Sequence, residues 1–260
     1  MTNSITSTSI TSTHPTTYPT TPFIRIPTVI LQQSLHNNKY ILPLYIYSAI
    51  NNNIYYSNMV DTNINLIADT FGPNQRSVQT KFKIALEYLL KDNINFSTPF
   101  QPVNFSIEKL PVISKSSRLQ YIFLDRSSEM DDYWIKFNFD EYYYLLEKVT
   151  PNSKYNIIDL FNLYTYFKYK IILYTKAQAK VKKEKNPYIT LSMYESLSTI
   201  CKHTKFSRNT LSKYINQLVE LKMIRVKKGK LKPNSTVEKT SNEYSLSSEW
   251  KNDYYQIDTL

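Results

Sequence analysis

Apolar residues recur every three to four positions in several stretches of the chain, a spacing that predicts helices with one buried face. Over 75–91 the stripe is Val78, Phe82, Ala85, Leu86 and Leu89. Over 156–180 it is Ile157, Leu160, Leu163, Phe167, Ile171 and Tyr174, and over 207–222 it is Leu211, Ile215, Leu218 and Leu221. Shorter helices are predicted over 62–71, with Ile64, Ile67 and Ala68 inside, and over 192–202, with Leu197 and Ile200 inside. The apolar run 38–50 is predicted helical, with Pro43 in the first turn, where its missing N–H costs little.

Other stretches read as strands. Partial alternation predicts one over 23–31. The runs 120–124 and 133–139 are aromatic and β-branched, and a polar turn over 126–132 separates them, which predicts a hairpin. Asp140 then fits an N-cap for a helix over 141–149. Near the end, Ile224 and Val226 start a strand and 243–246 returns beside it.

Breakers divide the chain at Gly72-Pro73-Asn74, at Thr150-Pro151-Asn152-Ser153 and at the basic run 182–187. The predicted fold is α+β and helix-rich: two winged-helix domains joined by a β-rich segment, with a disordered N-terminal tail. The expected divisions are a Ser/Thr-rich tail over 1–21, an N-terminal winged-helix-like domain with a β-hairpin over 22–150, a C-terminal basic winged helix-turn-helix domain over 151–250, and a tail over 251–260. Ser or Thr fills 13 of the first 21 positions, too polar a segment to offset its own chain entropy by burial.

Composition narrows the chemistry. The 260 residues include only two glycines, Gly72 and Gly229, which excludes a P-loop or a dinucleotide-binding turn. One cysteine, Cys201, excludes an internal disulfide and a multi-cysteine zinc site. The cysteine reads as packing. His14, His36 and His203 are scattered, so no local pair is set up to hold a metal. The longest uncharged apolar stretch, 40–50, is too short to cross a bilayer. No secretory signal is evident, and the expectation is a cytoplasmic protein. The 23 tyrosines, with abundant Asn, Ile and Lys, read as the product of AT-rich codons.

Net charge is +11, which favours an anionic partner. The charge is uneven: residues 164–239 hold 18 Lys and Arg against 4 Asp and Glu. That span includes two predicted helices joined by a short turn, the layout of a helix-turn-helix. Ser207 is placed to cap the second helix. Arg208, Asn209 and Thr210 then sit at its start, where Arg matches guanine and Asn matches adenine at the major-groove edge. Ser212, Lys213 and Asn216 continue the polar face toward phosphate. Lys227, Lys228, Lys230 and Lys232 surround a turn that Gly229 permits, as a basic wing beside the duplex backbone. A weaker second copy of this pattern lies earlier in the chain. There Gln75, Arg76 and Ser77 open the longer helix and Lys81 follows, as a second contact to DNA or to protein.

The run ESLSTICKHTKFSRNTLSKYINQLVELKMIRV is similar to winged domains of phage replication proteins. The order of elements from Phe23 to Leu246 resembles the two-winged-helix replication initiators of plasmids and phages. The resemblance implies binding to origin repeats on double-stranded DNA, a homodimer in one functional state, and recruitment of host helicase or primosome proteins.

Enzymatic readings fare poorly. A tyrosine nickase would need paired histidines for its metal, and none are present. Glu129, Asp131 and Asp132 read as a solvated acidic turn, and Tyr142, Tyr143 and Tyr144 as helix core. The expectation is therefore binding without catalytic residues, cofactor or metal. A winged-helix transcriptional regulator and a non-catalytic scaffold for protein partners are the alternatives.

Removing residues 1–21 should leave the melting temperature unchanged. A loss of several degrees in a thermal melt would place that segment against the folded body.

Overall fold

Strand β1 (Phe23–Pro27) leads directly into α1 (Thr28–His36), followed by α2 (Ile41–Tyr55), β2 (Met59–Thr62), α3 (Ile64–Thr70), α4 (Arg76–Leu90), β3 (Phe100–Pro102), β4 (Leu119–Phe123) and β5 (Trp134–Asn138). Then come α5 (Phe139–Lys148), α6 (Ile157–Val181), β6 (Ser192–Glu195), α7 (Leu197–Thr204), α8 (Arg208–Glu220), β7 (Ile224–Lys227) and β8 (Asn242–Leu246). The computed structural model describes residues 22–55, 59–72, 76–90, 100–103, 118–123, 134–149, 156–181, 192–229 and 241–247. The architecture is α+β, helix-rich, with small antiparallel sheets. The tails over 1–21 and 251–260 lie outside the described residues.

One arrangement occurs twice. The first runs α2–β2–α3–α4–β3–β4 and the second α6–β6–α7–α8–β7–β8. In each the last strand is central: the sheet orders are β2-β4-β3 and β6-β8-β7, all antiparallel. The helical stripes expected in α3, α4 and α8 face inward. Ile64, Ile67 and Ala68 are buried, as are Phe82, Ala85, Leu86 and Leu89, and Leu211, Ile215, Leu218 and Leu221. Gly72 follows α3 at φ +135°, a conformation that strains any residue with a Cβ, so the chain turns there at low cost.

Four local expectations are corrected. The runs 120–124 and 133–139 do not form a hairpin. Strand β4 already has β2 on one edge and β3 on the other, so β5 pairs with β1 instead. That pairing puts Ile24 opposite Phe137 and Ile26 opposite Ile135, all four buried on one face. Second, Asn138 rather than Asp140 is the N-cap of α5. Glu141, three residues on, reaches back to accept the Asn138 backbone N–H at 2.8 Å. Third, 192–195 is strand β6, not the start of a helix. Met193 is buried and Tyr194 exposed, and Ser196 then caps α7. The strand expected over 23–31 ends at Pro27, where α1 takes over.

Two helices fill the centre. Around the start of α2, Tyr40, Ile41, Leu42, Leu44, Tyr45 and Ile46 are buried on every side, and Pro43 sits in the first turn. Every residue of α6 from Ile157 to Lys168 is buried. This helix packs on α1, α2, α5 and β5 from the first half and on α8, β6 and β8 from the second. No helix among the described residues is long and apolar enough to cross a membrane.

Inside α6 lies a charge with no route to water. Lys168 Nζ donates to both carboxylate oxygens of Glu141, at 2.6 and 2.5 Å, and both side chains have zero exposure. The Tyr164 hydroxyl donates to the same carboxylate, and Lys168 also lies 5.3 Å from the centre of the Phe137 ring.

Lys168→Met should destabilise the fold by roughly 3–5 kcal/mol, because it strands a buried carboxylate. Adding Glu141→Gln should recover most of the loss in a urea titration. Equal stability of Lys168→Met and wild type would mean that the pair is solvated.

Candidate nucleic-acid interface

The α7–α8 unit is held at both ends by its own side chains. Ser196 Oγ accepts the Thr199 N–H at 3.1 Å and Ser207 Oγ accepts the Thr210 N–H at 3.2 Å, so each helix begins with a satisfied donor. Between them, Lys205 adopts the left-handed conformation at φ 61° and donates its N–H to the Cys201 carbonyl. Three residues, 205–207, therefore suffice to turn the chain. Cys201 itself is half-buried against the core, as a packing residue would be.

Helix α8 is anchored from inside. Tyr214 packs on Phe206, and its hydroxyl donates to Asp159 Oδ2 at 2.8 Å. The other oxygen of Asp159 accepts from Lys39 Nζ at 2.8 Å. Burial and the neighbouring Asp159 carboxylate push the Tyr214 phenol above its ordinary pKa, so it stays a donor. At the far end the Tyr144 hydroxyl donates to the Leu221 carbonyl at 3.0 Å. Of the three consecutive tyrosines, Tyr142 is buried, Tyr143 is exposed and Tyr144 makes this bridge.

A second polar cluster fixes α7. The Tyr166 hydroxyl donates to Glu195 Oε2 at 2.7 Å and lies 2.9 Å from His203 Nδ1, while Lys170 Nζ is 3.3 Å from Glu195 Oε1. Burial and the positive charge of Lys170 lower the His203 pKa, which favours a neutral ring at pH 7.

The opposite face of α8 is open. Arg208, Asn209, Lys213 and Asn216 are exposed. Asn209, Lys213 and Asn216 recur at i, i+4 and i+7, which places them in one stripe along the helix. Thr210 and Ser212 are half-buried, and the Thr210 hydroxyl lies 2.8 Å from Ser207 Oγ, tied to the cap.

Of the four lysines expected to form a wing, Lys227 and Lys228 are exposed, with Lys227 Nζ 3.7 Å from Glu243 Oε2. Gly229 donates its backbone N–H to Asn242 Oδ1, which closes the base of the loop. Lys230, Lys232 and the turn itself lie outside the described residues.

Four exposed cations went unassigned in the sequence: Lys202, Lys205, Lys222 and Arg225. Arg225 alternates with Lys227 along β7, and that period of two was the available signal. Residues 192–229 contain only two carboxylates. Of these Glu195 is buried and Glu220 exposed, and Glu243 of β8 stands beside Lys227.

In the first unit, Arg76 and Ser77 are exposed at the start of α4, and Gln75 lies outside the described residues. Lys81 is exposed but leans over the Tyr40 ring at 5.6 Å. The same surface carries Ile84, half exposed, and the open face of α8 likewise ends in an exposed apolar residue, Val219. Glu129, Asp131 and Asp132 lie outside the described residues, among which no three His, Cys, Asp or Glu come together as a metal site. No family model matches the chain, and no curated protein matches its sequence.

The end of α8 offers a test of the local geometry. Lys222 sits at φ 53°, its N–H bonds the Val219 carbonyl, and the Met223 N–H bonds the Leu218 carbonyl, both at 2.9 Å. These two bonds end a helix where glycine is usual. The left-handed conformation costs a side-chain-bearing residue about 1–2 kcal/mol, and glycine's chain entropy takes back about 0.5–1 kcal/mol. Lys222→Gly should therefore stabilise the protein by about 0.5–1 kcal/mol. Lys222→Ala, which removes the charge and keeps the strain, should leave denaturant stability unchanged. Equal effects of the two would assign the change to charge.

Proposed function

We propose that the chain is a sequence-specific double-stranded DNA-binding protein built on two winged-helix units, and that α8 is its recognition helix. The observation that carries this reading is the division of α8 into two faces. Leu211, Tyr214, Ile215 and Leu218 hold it to the body, while Arg208, Asn209, Lys213 and Asn216 face outward from an exposed surface rich in cations. These are side chains able to read guanine and adenine edges and to approach phosphate. Lys227 at the end of β7, with Lys228, Lys230 and Lys232 after it in sequence, is read as the wing. The order of elements and the central last strand in both sheets support the winged-helix assignment of each unit.

Within that class a replication initiator of a plasmid, phage or mobile element is the favoured role. Its support is the doubling of the unit and the resemblance of the 195–226 run. On this reading the first unit, with Arg76, Ser77 and Lys81 beside the exposed Ile84 and Leu66, takes DNA or a protein such as the host helicase, and the protein forms a homodimer in one state. A transcriptional regulator would use the same α8 contacts, and direct repeats beside the gene rather than one promoter palindrome distinguish the initiator.

The experiment is selection of a cognate site from random duplexes, followed by affinity across a salt series. Arg208→Ala or Asn209→Ala should cost about 1–3 kcal/mol on the cognate site and much less on scrambled DNA. Replacing Lys227, Lys228, Lys230 and Lys232 together should weaken both alike. It should also flatten the log–log salt slope by about 2–3, since each lost phosphate contact removes about 0.9. Failure to bind any duplex at low salt would leave the scaffold reading in its place.

A further inference from the structure

Strands β1 and β5 form a two-stranded sheet whose outer face combines two aromatic rings with two cations. The inner face is Ile24, Ile26, Ile135 and Phe137. The outer face presents Phe23, Arg25, Trp134 and Lys136, and neither strand contains Asp or Glu. The rings of Phe23 and Trp134 lie within 16° of parallel with centroids 6.2 Å apart. The Arg25 guanidinium is 5.1 Å from the centre of the Trp134 ring, and the Lys136 ammonium is 4.7 Å from that of Phe23. Trp134 retains 37% of its surface exposed.

A ladder of this kind stabilises a short sheet through cation–π contact. Stability alone, however, does not call for a large ring left open to solvent beside two cations. Two flat apolar surfaces flanked by positive charge match one polymer well: a nucleic-acid strand whose bases are free to stack and whose phosphates alternate with them. A duplex hides its base faces inside the stack, so the strand that stacks on these rings is single.

We propose that the outer face of β1–β5 binds single-stranded nucleic acid, with bases stacked on Trp134 and Phe23 and phosphates beside Arg25 and Lys136. The site is separate from α8, and its test does not depend on duplex binding.

The full chain with Trp250→Phe leaves Trp134 as the single tryptophan. Titration with oligo(dT) should quench its fluorescence to saturation, while abasic DNA of equal length, which keeps the charge and lacks the bases, should bind weakly and quench little. Trp134→Ala should lower oligo(dT) affinity about 5- to 150-fold, and Trp134→Phe, which keeps a ring, should retain most of it. Arg25→Gln should flatten the log–log salt slope by about 0.7. Melting curves of Trp134→Phe and Arg25→Gln check that the sheet survives if Trp134→Ala unfolds it. An oligo(rU) arm tells an RNA strand from a DNA strand, and preference for either supports the proposal. Equal binding of abasic and base-bearing strands would overturn it, as would oligo(dT) affinity indifferent to position 134. A dimer lost in Trp134→Ala without any oligo(dT) binding would assign the face to a second copy of the chain.

Discussion

Between Ile157 and Lys168 every side chain of α6 is buried, and two of them, Asp159 and Lys168, carry charge. A buried charge must find its partner inside the protein or the fold cannot form around it. The two requirements fix the helix in rotation and along its axis. Lys168 has to meet Glu141 on α5, and Asp159 has to meet Lys39 from the α1–α2 turn and Tyr214 from α8. Turning α6 by a single residue would separate both charges from their partners. The position of α8 relative to the first half of the chain is therefore an electrostatic matter as much as a packing one.

Around this helix the same arrangement of elements is built twice, with different surfaces. In α8 the outward stripe is Asn209, Lys213 and Asn216, and in α4 Arg76, Ser77 and Lys81 share the surface with Ile84. Both helices thus expose cations beside one apolar residue, Val219 in α8 and Ile84 in α4, with different polar side chains around them.

Much of the helical framework was legible because its signals are local. The stripes of α3, α4 and α8 repeat within a few turns, and Ser207 announces the start of α8. What was hidden depends on distant neighbours. Strand β6 is four residues long and becomes a strand through its pairing with β8. The β1–β5 pair joins residues more than a hundred positions apart, and the cap at Asn138 is visible through Glu141 only once the helix start is known. The largest surprise concerns tyrosine. A composition shaped by AT-rich codons gave no reason to place these residues, yet Tyr45, Tyr121, Tyr164, Tyr166 and Tyr244 are among the largest fully buried side chains. Each hydroxyl has a partner: the Arg25 carbonyl, Ser48, Glu141, Glu195 and Asn242 respectively. Hydrophobic periodicity treats Tyr as half-polar and so underestimates the breadth of the core. Among the outward residues, Arg208, Asn209, Lys213 and Asn216 were legible from the register of α8, whereas Arg225 required the register of a strand.

The way α8 is held has an evolutionary consequence. Its cap, its buried stripe, its hydroxyl bond to Asp159 and its terminal bridge from Tyr144 all use atoms other than the side chains of Asn209, Lys213 and Asn216. Substitutions at those three positions change what the helix displays without disturbing what secures it. Helix-compatible side chains can therefore replace one another at these three positions while every contact that secures α8 stays in place.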